Sequence, residues 1–316
     1  MSDPSEPPRR ISASTIVSLS SSLAEAIAKS IAAGLTGSVA LFAEAVHTWA
    51  DTGDALFLII AEKESAKPAD DAHPYGHGRS IYTWSLLAAL GMFSIGGVAS
   101  IMSGIEGIGS KEAGGDYALG YIVLALSLVL NLVPFAQAAL DIIRRGRRER
   151  MSMLEYLDQT STTTLRAVFA DGLTGVLGTL LAGAGMLAHQ LTGNATWDAL
   201  ASIAIGVVLC LVAIRLASRN GQFLLGRPAP GPQRDDILAQ LLGDPDIRRV
   251  TFLYTEFVGA GQLAVVAAIE VSGERTQDDL ALALQDIADR LTDRPEIIRA
   301  VTTLSRPSTP SLAVGM

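Results

Sequence analysis

IAAGLTGSVALFAEAVHTWADTGDALFLIIA, residues 31–61, places Glu44, His47, Asp51 and Asp54 inside a run that is otherwise apolar. On a helix, positions 47 and 51 lie one turn apart, and positions 44 and 54 fall within about 60° of the same stripe. Ionisable groups inside a bilayer are costly, so they generally face a bundle interior or an aqueous cavity. The stretch therefore predicts a membrane helix with one polar stripe.

The composition of the chain is that of an integral membrane protein. Of 316 residues, 49% are hydrophobic and 18% are charged, and the mean hydropathy is +0.36. These values are too apolar for an ordinary soluble protein of this length. Six runs are long enough to cross a bilayer as helices, and they lie at 13–35, 38–61, 81–107, 116–143, 163–190 and 195–217.

The sequence predicts neither a signal peptide nor a disulfide framework. The polar opening MSDPSEPPRRISAS, with no cleavage pattern after the first apolar run, predicts no signal peptide. The single Cys210 excludes a disulfide framework.

Basic residues concentrate on one side of the predicted bundle. The connections GLTGS (34–38) and QLTGN (190–194) lack Lys and Arg, and GSKEAGGD (109–116) has a single Lys. The opposite side holds Arg9, Arg10, Lys63, Lys67, Arg79, Arg215, Arg219 and the cluster RRGRRER (144–150). By the positive-inside rule, both termini are cytoplasmic. The arginine cluster could also grip anionic lipid, although fixing the topology is the favoured explanation.

The composition changes after GRPAPGP (226–232). Two amphipathic helices, at 234–244 and 276–291, alternate with strand patterns in 248–273 and 297–305, which predicts the order αββαβ. The fold class is thus a six-helix transmembrane bundle followed by a ferredoxin-like α+β domain. The predicted boundaries are a cytosolic tail at 1–12, a transmembrane domain at 13–220, a cytosolic dimerisation domain at 226–305 and a flexible tail at 306–316.

His47 and Asp51 form the first candidate metal site. An imidazole and a carboxylate at i and i+4 can contact one small cation, which suits Zn²⁺ and less exclusively Mn²⁺, Fe²⁺ or Co²⁺. The alternative is a helix near the interface whose charged side chains extend to water. Glu44 and Asp54 are accessory candidates, for which helix–helix hydrogen bonding or lining of a wet cavity is at least as good an explanation.

Asp171 is a second intramembrane acid, in TTTLRAVFADGLTGVLGTLLAG (162–183). A tetrahedral site needs more ligands than the second helix offers, and Asp171 is the obvious donor from another helix. The alternative is a hydrogen bond to Thr174 or to a neighbouring helix. In the first span, Glu25 and Lys29 are expected to pair with each other at i and i+4.

PADDAHPYGHGR (68–79), between the second and third spans, holds a second candidate site. Asp70, Asp71, His73 and His77 offer four ligands within eight residues, at a spacing that suits a metal. The alternative is that Tyr75 and the glycines shape the start of the next helix while both imidazoles are solvated. The fourth histidine is His189, so the C-terminal domain has no histidine with which to bind a metal.

TGSVALFAEAVHTWAD (36–51) and DDAHPYGHGR (70–79), with six helices before an αββαβ domain, resemble the cation diffusion facilitator family. The resemblance implies a homodimeric, proton-coupled exporter of divalent cations, usually Zn²⁺. The ligand chemistry leaves Mn²⁺, Fe²⁺, Co²⁺ or Cd²⁺ open as the cargo. The resemblance also implies that His47, Asp51 and Asp171 form the transport site, and that Asp70, His73 and His77 form a loop site. The short polar N-terminal tail, without a transit-peptide pattern, predicts a bacterial inner or plasma membrane.

The chain departs from the family pattern in the fifth helix. A second ligand is expected four residues after Asp171, where Gly175 stands. In the branch with an acidic pair, the second acid falls on Gly172. The fourth ligand is then water, Glu44 or nothing. A non-transporting sensor or scaffold is therefore an alternative function.

Other function classes find less support in the sequence. A membrane metalloprotease lacks an HExxH motif, and tight imidazole–carboxylate ligation would slow a channel. The acidic C-terminal domain does not favour nucleic acid.

Overall fold

A computed structural model of the chain describes residues 13–109, 117–149 and 151–314. Several sequence predictions fall wholly or partly outside these residues. They are the cytosolic tail at 1–12, most of the GSKEAGGD connection with the first residue of the span at 116–143, the last arginine of the basic cluster, and the last two residues of the tail at 306–316.

Long helices make up the first two thirds of the chain. They are α1 (Ala13–Thr36), α2 (Val39–Ser65), α3 (Ser80–Gly91), a π-helix (Met92–Val98), α4 (Ala99–Gly107), α5 (Tyr117–Arg148), a short α6 (Met153–Gln159), α7 (Thr163–Thr192) and α8 (Thr196–Leu224). Gly37 and Gly193 have φ angles of 67° and 66° at the turns that follow α1 and α7. Glycine suits these turns because it adopts the left-handed conformation without strain.

Four helical segments in the described part of the chain are long and apolar enough to cross a membrane: Ser80–Gly107, Tyr117–Arg148, Thr163–Thr192 and Thr196–Leu224. The chain is therefore a membrane protein. Helices α1 and α2 have 24 and 27 residues, which is also sufficient length, but α2 carries several charged side chains. A count of six spans remains a prediction.

Small residues bring the segment Ser80–Gly107 close to α8. A Cβ atom on Gly97, in the π-helix, would lie 2.5 Å from the Sγ atom of Cys210, and one on Gly104 would lie 2.7 Å from the carbonyl oxygen of Ala199. In the other direction, a Cβ on Gly206 would lie 2.7 Å from the carbonyl oxygen of Gly97. Such contacts are typical of membrane helices, which associate through close backbone packing.

The chain divides into two compact units. The helical unit comprises Met1–Lys63, Thr83–Leu157 and Thr163–Gly221. The sheet unit comprises Glu64–Tyr82, Asp158–Thr162 and Gln222–Met316, so it includes the connection between α2 and α3 as well as the C-terminal region.

The C-terminal region contains α9 (Gly231–Gly243), β1 (Ile247–Gly259), β2 (Gln262–Val271), α10 (Gln277–Thr292) and β3 (Ile297–Leu304). The three strands form one sheet in the order β1-β2-β3, with β2 antiparallel to β1 and parallel to β3. The strands are those expected from the sequence, and the C-terminal region has a small α+β fold. A ferredoxin-like topology remains a prediction.

Alternation of side chains explains the sheet. Along β2, Leu263, Val265, Ala267 and Ile269 are buried and the residues between them are only partly covered. Helix α10 begins where the backbone amide of Asp279 donates a 3.2 Å hydrogen bond to Oγ1 of Thr276. This is the N-cap that the TQDD sequence favours.

The tail predicted to be flexible is attached to β1 over part of its length. The backbone amide of Leu312 donates a 2.7 Å hydrogen bond to the carbonyl oxygen of Val250. The guanidinium of Arg249 donates to the carbonyl oxygens of Pro307 and Thr309. Residues 307–312 therefore have hydrogen-bond partners on β1, and flexibility of the tail at 306–316 stays a prediction.

Candidate metal centre

His47 is buried in the middle of α2, one turn from Asp51. The Nδ1 atom of His47 lies 3.3 Å from Oδ1 of Asp51, and 1% of the His47 side chain and 20% of the Asp51 side chain are exposed. Neither ring nitrogen of His47 makes a well-formed hydrogen bond to another described residue, and the same is true of Oδ1 of Asp51. Buried polar atoms are usually hydrogen-bonded, so these three atoms are suited to an additional partner such as a cation.

Asp171, on α7, lies near this pair. Its carboxylate acts electrostatically on Asp51 and on Asp54. The hydroxyl of Thr174 donates to the backbone carbonyl oxygen of Asp171 at 3.0 Å, so the local hydrogen bond considered in the sequence involves the backbone and not the carboxylate. Three acids from two helices therefore share one region of the bundle.

Asp54 and Asp171 line one cavity of the helical unit. Its polar walls also include Ser85 of α3, Arg166 of α7 and Asn220 of α8. The guanidinium of Arg166 donates a 2.9 Å hydrogen bond to Oδ1 of Asn220. Asp54 is thus placed as a cavity-lining residue, one of the two roles considered for it as an alternative to metal contact.

The ligand atoms of His47, Asp51 and Asp171 are not gathered as closely as a bound ion would require. Among the described residues, the one set of three His, Cys, Asp or Glu side chains with ligand atoms all within 4.8 Å of one another is in the loop that follows α2. Asp51 and Asp171 repel each other while both are ionised and no cation lies between them. A dication would remove this repulsion and favour a closer approach.

Glycine replaces a second ligand on α7 because α5 packs there. A Cβ atom on Gly175 would lie 2.8 Å from both Cγ and Oδ1 of Asn131. A Cβ on Gly172 would lie 2.7 Å from Cβ and 2.9 Å from Cα of Phe135. Distances this short are not tolerated, so neither position accepts an acid unless α5 or its side chains move.

Glu44 is fully buried and is held by a lysine. Its Oε2 atom accepts a 2.9 Å hydrogen bond from Nζ of Lys29 and a 3.3 Å bond from Oγ1 of Thr179. Lys29 also pairs with Glu25 at 2.9 Å, as its spacing predicts. Glu44, an accessory candidate from the sequence, is in an ion pair with Lys29 beside the candidate site.

The loop site lies in the sheet unit. Nδ1 of His73 is 3.0 Å from Oδ1 of Asp70, and Nε2 of His77 is 2.9 Å from Oδ2 of the same carboxylate. The two imidazole rings are 3.9 Å apart between centroids. Hydrogen bonds from His77 and then His73 hold the pKa of the Asp70 carboxyl well below its usual range. Asp71 belongs to none of these contacts.

The sheet positions this loop. A side chain of Arg79 forms an ion pair with Glu256 on β1. Gly78 approaches β1 so closely that a Cβ atom there would lie 2.6 Å from the carbonyl oxygen of Val258. The glycine after His77 is therefore required by close packing, and the loop is attached to β1 at its C-terminal end.

Comparison with known proteins decides the family. The profile of the cation efflux transmembrane domain matches residues 15–225. The chain belongs to the cation efflux family.

Curated proteins with similar sequences have names that refer to metals or cations. The chain is 27% identical over 234 residues to metal tolerance protein C4 of Arabidopsis thaliana, covering 74% of this chain and 51% of the relative. It is 28% identical over 262 residues to the human mitochondrial proton-coupled zinc antiporter SLC30A9, covering 83% and 46%. It is 31% identical over 210 residues to the cation-efflux pump FieF of Escherichia fergusonii, covering 64% and 62%. The chain thus spans about half the length of the first two relatives.

The helical unit contains contacts between helices that no pattern in the sequence predicts. The partnership of Lys29 with Glu44 joins α1 to α2, and the contact of Asn131 with Gly175 joins α5 to α7. A lysine within an apolar run was a signal that a buried acid is near, but Glu25 was sufficient to account for it. No sequence signal connected Asn131 to position 175.

Proposed function

We propose that the protein exports a divalent cation, with Zn²⁺ as the first candidate, in exchange for protons. His47, Asp51 and Asp171 bind the cation within the helical unit. Two carboxylates and one neutral imidazole nearly neutralise a dication, which limits the cost of burying it. Mixed nitrogen and oxygen ligands suit Zn²⁺ and also admit Mn²⁺, Fe²⁺, Co²⁺ or Cd²⁺.

The observation that carries this proposal is the state of His47. The imidazole is buried on a helix of a membrane bundle, with a carboxylate one turn away, and neither ring nitrogen is satisfied by a hydrogen bond to the described residues. Leaving such a group buried without a partner costs about 1–3 kcal/mol. A cation bound during each transport cycle would supply that partner.

Exchange of protons for metal follows from the ligand chemistry. Imidazole binds metal only in its neutral form, and a carboxylate binds it only when ionised. A cation that binds from the cytosol displaces protons from His47 or from the acids. Protons that arrive from the opposite side return to these groups and release the cation, while the helices rock around the site to change its access.

The cavity beside Asp54 and Asp171 supports a route to the site. It is lined by the two acids together with Ser85, Asn220 and Arg166, whose guanidinium is hydrogen-bonded to Asn220, and it lies near the start of α7 at Thr163. The distribution of basic residues assigns that end of α7 to the cytoplasm. Cations would therefore reach Asp171 from the cytosol, in a protein with both termini cytoplasmic and located in a bacterial inner membrane.

A second copy of the chain is the proposed partner, and one face of the sheet supports this. Tyr254, Val266 and Val301 are neighbours across the three strands, and Phe252 lies in the adjacent row. The side chains of Phe252, Tyr254 and Val301 are 50%, 41% and 42% exposed. An exposed apolar face of this kind is typical of an association surface.

Proteoliposomes test the transport proposal. The purified protein, with a pH-sensitive dye inside the vesicles, should produce a proton flux that depends on external Zn²⁺. His47→Ala and Asp171→Ala should each abolish this flux, because each removes one of three ligands. His189→Ala and Asp141→Ala are matched controls outside the site and should retain it.

Flux at the wild-type level in His47→Ala or Asp171→Ala, with the variant folded and inserted, would contradict the assignment of that residue. A competition series with Mn²⁺, Fe²⁺, Co²⁺ and Cd²⁺ then identifies the preferred cargo.

A non-transporting sensor is the second candidate function. The observation that favours it is the packing of Asn131 against Gly175, which leaves α7 with one acid at the site. A sensor would bind Zn²⁺ through His47 without moving it across the membrane. Binding without flux in the same vesicles would select this function over export.

A further inference from the structure

A buried ion network lies next to the candidate transport site. The ammonium nitrogen of Lys29 is 2.9 Å from Oε1 of Glu25, 2.9 Å from Oε2 of Glu44 and 2.9 Å from Oγ1 of Thr48. Lys29 and Glu44 are 1% and 0% exposed. The lysine is therefore held on three sides by oxygen atoms and cannot extend to water.

The network connects four helices. Glu25 and Lys29 belong to α1, and Glu44 and Thr48 to α2. From α7, Thr179 donates to Glu44, and from α5 the amide nitrogen of Asn131 lies 3.3 Å from Oε1 of Glu25. Its members are thus fixed by packing from all sides, so that their charges have defined positions.

These fixed charges act directly on the candidate ligands. Thr48 is the residue after His47, and Glu44 is one turn before it. The ammonium of Lys29 acts electrostatically on both His47 and Asp51, and the carboxylate of Glu44 acts on Asp51. Charges buried in a protein are screened far less than charges at its surface, so these interactions persist at physiological salt.

We propose that Lys29 and Glu44 are positioning residues that tune the affinity of the transport site, with the ammonium weakening and the carboxylate strengthening the binding of a divalent cation. The inference rests on the proposed function of His47, Asp51 and Asp171. Neither residue is assigned as a ligand, because Lys29 is itself a cation and Oε2 of Glu44 is held by Lys29 and Thr179. The other oxygen of Glu44, Oε1, packs against Gly178 of α7.

Such tuning would help the transport site release its cation. A transporter must bind its cargo and then let it go, and a buried dication held by two carboxylates and an imidazole leaves slowly. A nearby ammonium raises the free energy of the occupied site without removing a ligand. Because Lys29 is held by three oxygen atoms, it cannot move away when the cation arrives.

Opposite shifts in affinity are the signature of this role. Lys29→Met and Glu44→Gln both break the same 2.9 Å ion pair. If the pair only supports the fold, both variants should weaken binding of Zn²⁺. If the charges tune the site, Lys29→Met should tighten binding and Glu44→Gln should weaken it, each by about tenfold for a buried unit charge acting on a dication.

The experiment is calorimetric titration of the full chain in detergent with Zn²⁺, in a background of His73→Ala and His77→Ala that silences the loop. Lys29→Arg keeps the charge and should retain the affinity of that background. The double variant Lys29→Met, Glu44→Gln replaces both charges by neutral groups of similar size, so Glu44 is not left as an unpaired buried carboxylate, and Glu25 keeps its contact with Asn131. It should bind Zn²⁺ about tenfold more tightly than Glu44→Gln alone, which tests the lysine even if Lys29→Met does not fold.

Three outcomes are distinct. Opposite shifts, with the double variant tighter than Glu44→Gln, support the inference. Shifts in the same direction, or a double variant no tighter than Glu44→Gln, overturn the tuning role while the proposed function stands. If Zn²⁺ binding persists in His47→Ala in the same background, the assignment of the transport site is contradicted, and the tuning role is contradicted with it.

Discussion

The side-chain amide of Asn131 lies against the backbone of Gly175, so closely that a Cβ atom there would be 2.8 Å from Oδ1 of the asparagine. This contact predicts a conditional gain of a fourth ligand. Gly175→Asp alone should lower stability and should not tighten Zn²⁺ binding, because the new side chain collides with α5. Combined with Asn131→Ala, the same acid has space to complete a tetrahedral site.

The double variant should therefore bind Zn²⁺ about tenfold more tightly than Asn131→Ala alone, a gain of about 1.4 kcal/mol. Calorimetric titration with the loop histidines removed measures it. Tighter binding by Gly175→Asp as a single variant would show that α5 yields easily at this position.

Gly178 is required where α7 passes the buried Glu44. A Cβ atom at this position would meet Oε1 of Glu44, which has no hydrogen-bond partner among the described residues. Gly178→Ala should therefore displace Glu44 and lower the free energy of unfolding by about 1–3 kcal/mol, as overpacking usually does. Thermal unfolding in detergent measures the change.

Gly183, on the same helix, supplies the matched control. Its Cβ position has a single neighbour, Cδ1 of Leu124 at 3.9 Å, which is an ordinary contact. Gly183→Ala should leave stability unchanged or raise it, because alanine favours helix over glycine. Equal losses in the two variants would mean that loss of glycine itself, and not contact with Glu44, is responsible.

Asp198 of α8 supports the start of α2. Its carboxylate accepts a 2.9 Å hydrogen bond from Oγ of Ser38 and a 3.2 Å bond from the backbone amide of Ala40. Asp198→Ala should lower stability by about 1–2 kcal/mol, since it removes an N-terminal cap and a negative charge at the positive end of the helix dipole. Asp141→Ala, an exposed acid on α5, should have little effect; a similar loss there would indicate a general effect of removing charge.

The loop site depends on one carboxylate that contacts both imidazoles. Asp70→Asn should weaken Zn²⁺ binding at the loop by tenfold or more, about 1.4 kcal/mol, because it removes an anionic ligand. Asp71→Asn removes the same charge from the next residue, which has no part in the cluster, and should leave loop binding intact. Calorimetry in a His47→Ala background separates this site from the helical one.

The lowered pKa of Asp70 has a consequence for acid conditions. A carboxyl with a depressed folded pKa contributes stability that is fully present above the unfolded value of about 3.9 and is lost only as the pH falls through the folded value. Asp70 should therefore remain ionised between pH 6 and pH 4. The ¹³C shift of its side-chain carboxyl should show no transition in that interval, and a midpoint near 4 would contradict the hydrogen bonds to His77 and His73.

The sequence predicted best where local pattern determines structure. The apolar runs located the long helices, and alternation in QLAVVAAIEV located β2, because both patterns depend on neighbours along the chain. The i, i+4 spacing likewise brought His47 to Asp51 and Lys29 to Glu25. In the loop, the spacing predicted four candidate ligands, Asp70, Asp71, His73 and His77, and the structure brings three of them, all but Asp71, close together.

Contacts between helices could not be predicted from the sequence. Glycine at 175 reads as a missing ligand until α5 is seen to place Asn131 there. Glu44 reads as a ligand candidate until α1 is seen to place Lys29 against it. Both depend on the rotation and spacing of helices distant along the chain, for which a single sequence has no periodic signal.

The attachment of the loop to β1 determines how the sheet unit can be studied alone. A soluble fragment starting near Gln222 would contain every strand and yet lack Glu64–Tyr82, which belongs to the same compact unit. Glu256 would lose its arginine, and the backbone of Val258 and Gly259 would lose the covering of Gly78. Fusing the missing segment back through a flexible linker would restore these contacts and keep Asp70, His73 and His77 available for titration in plain buffer.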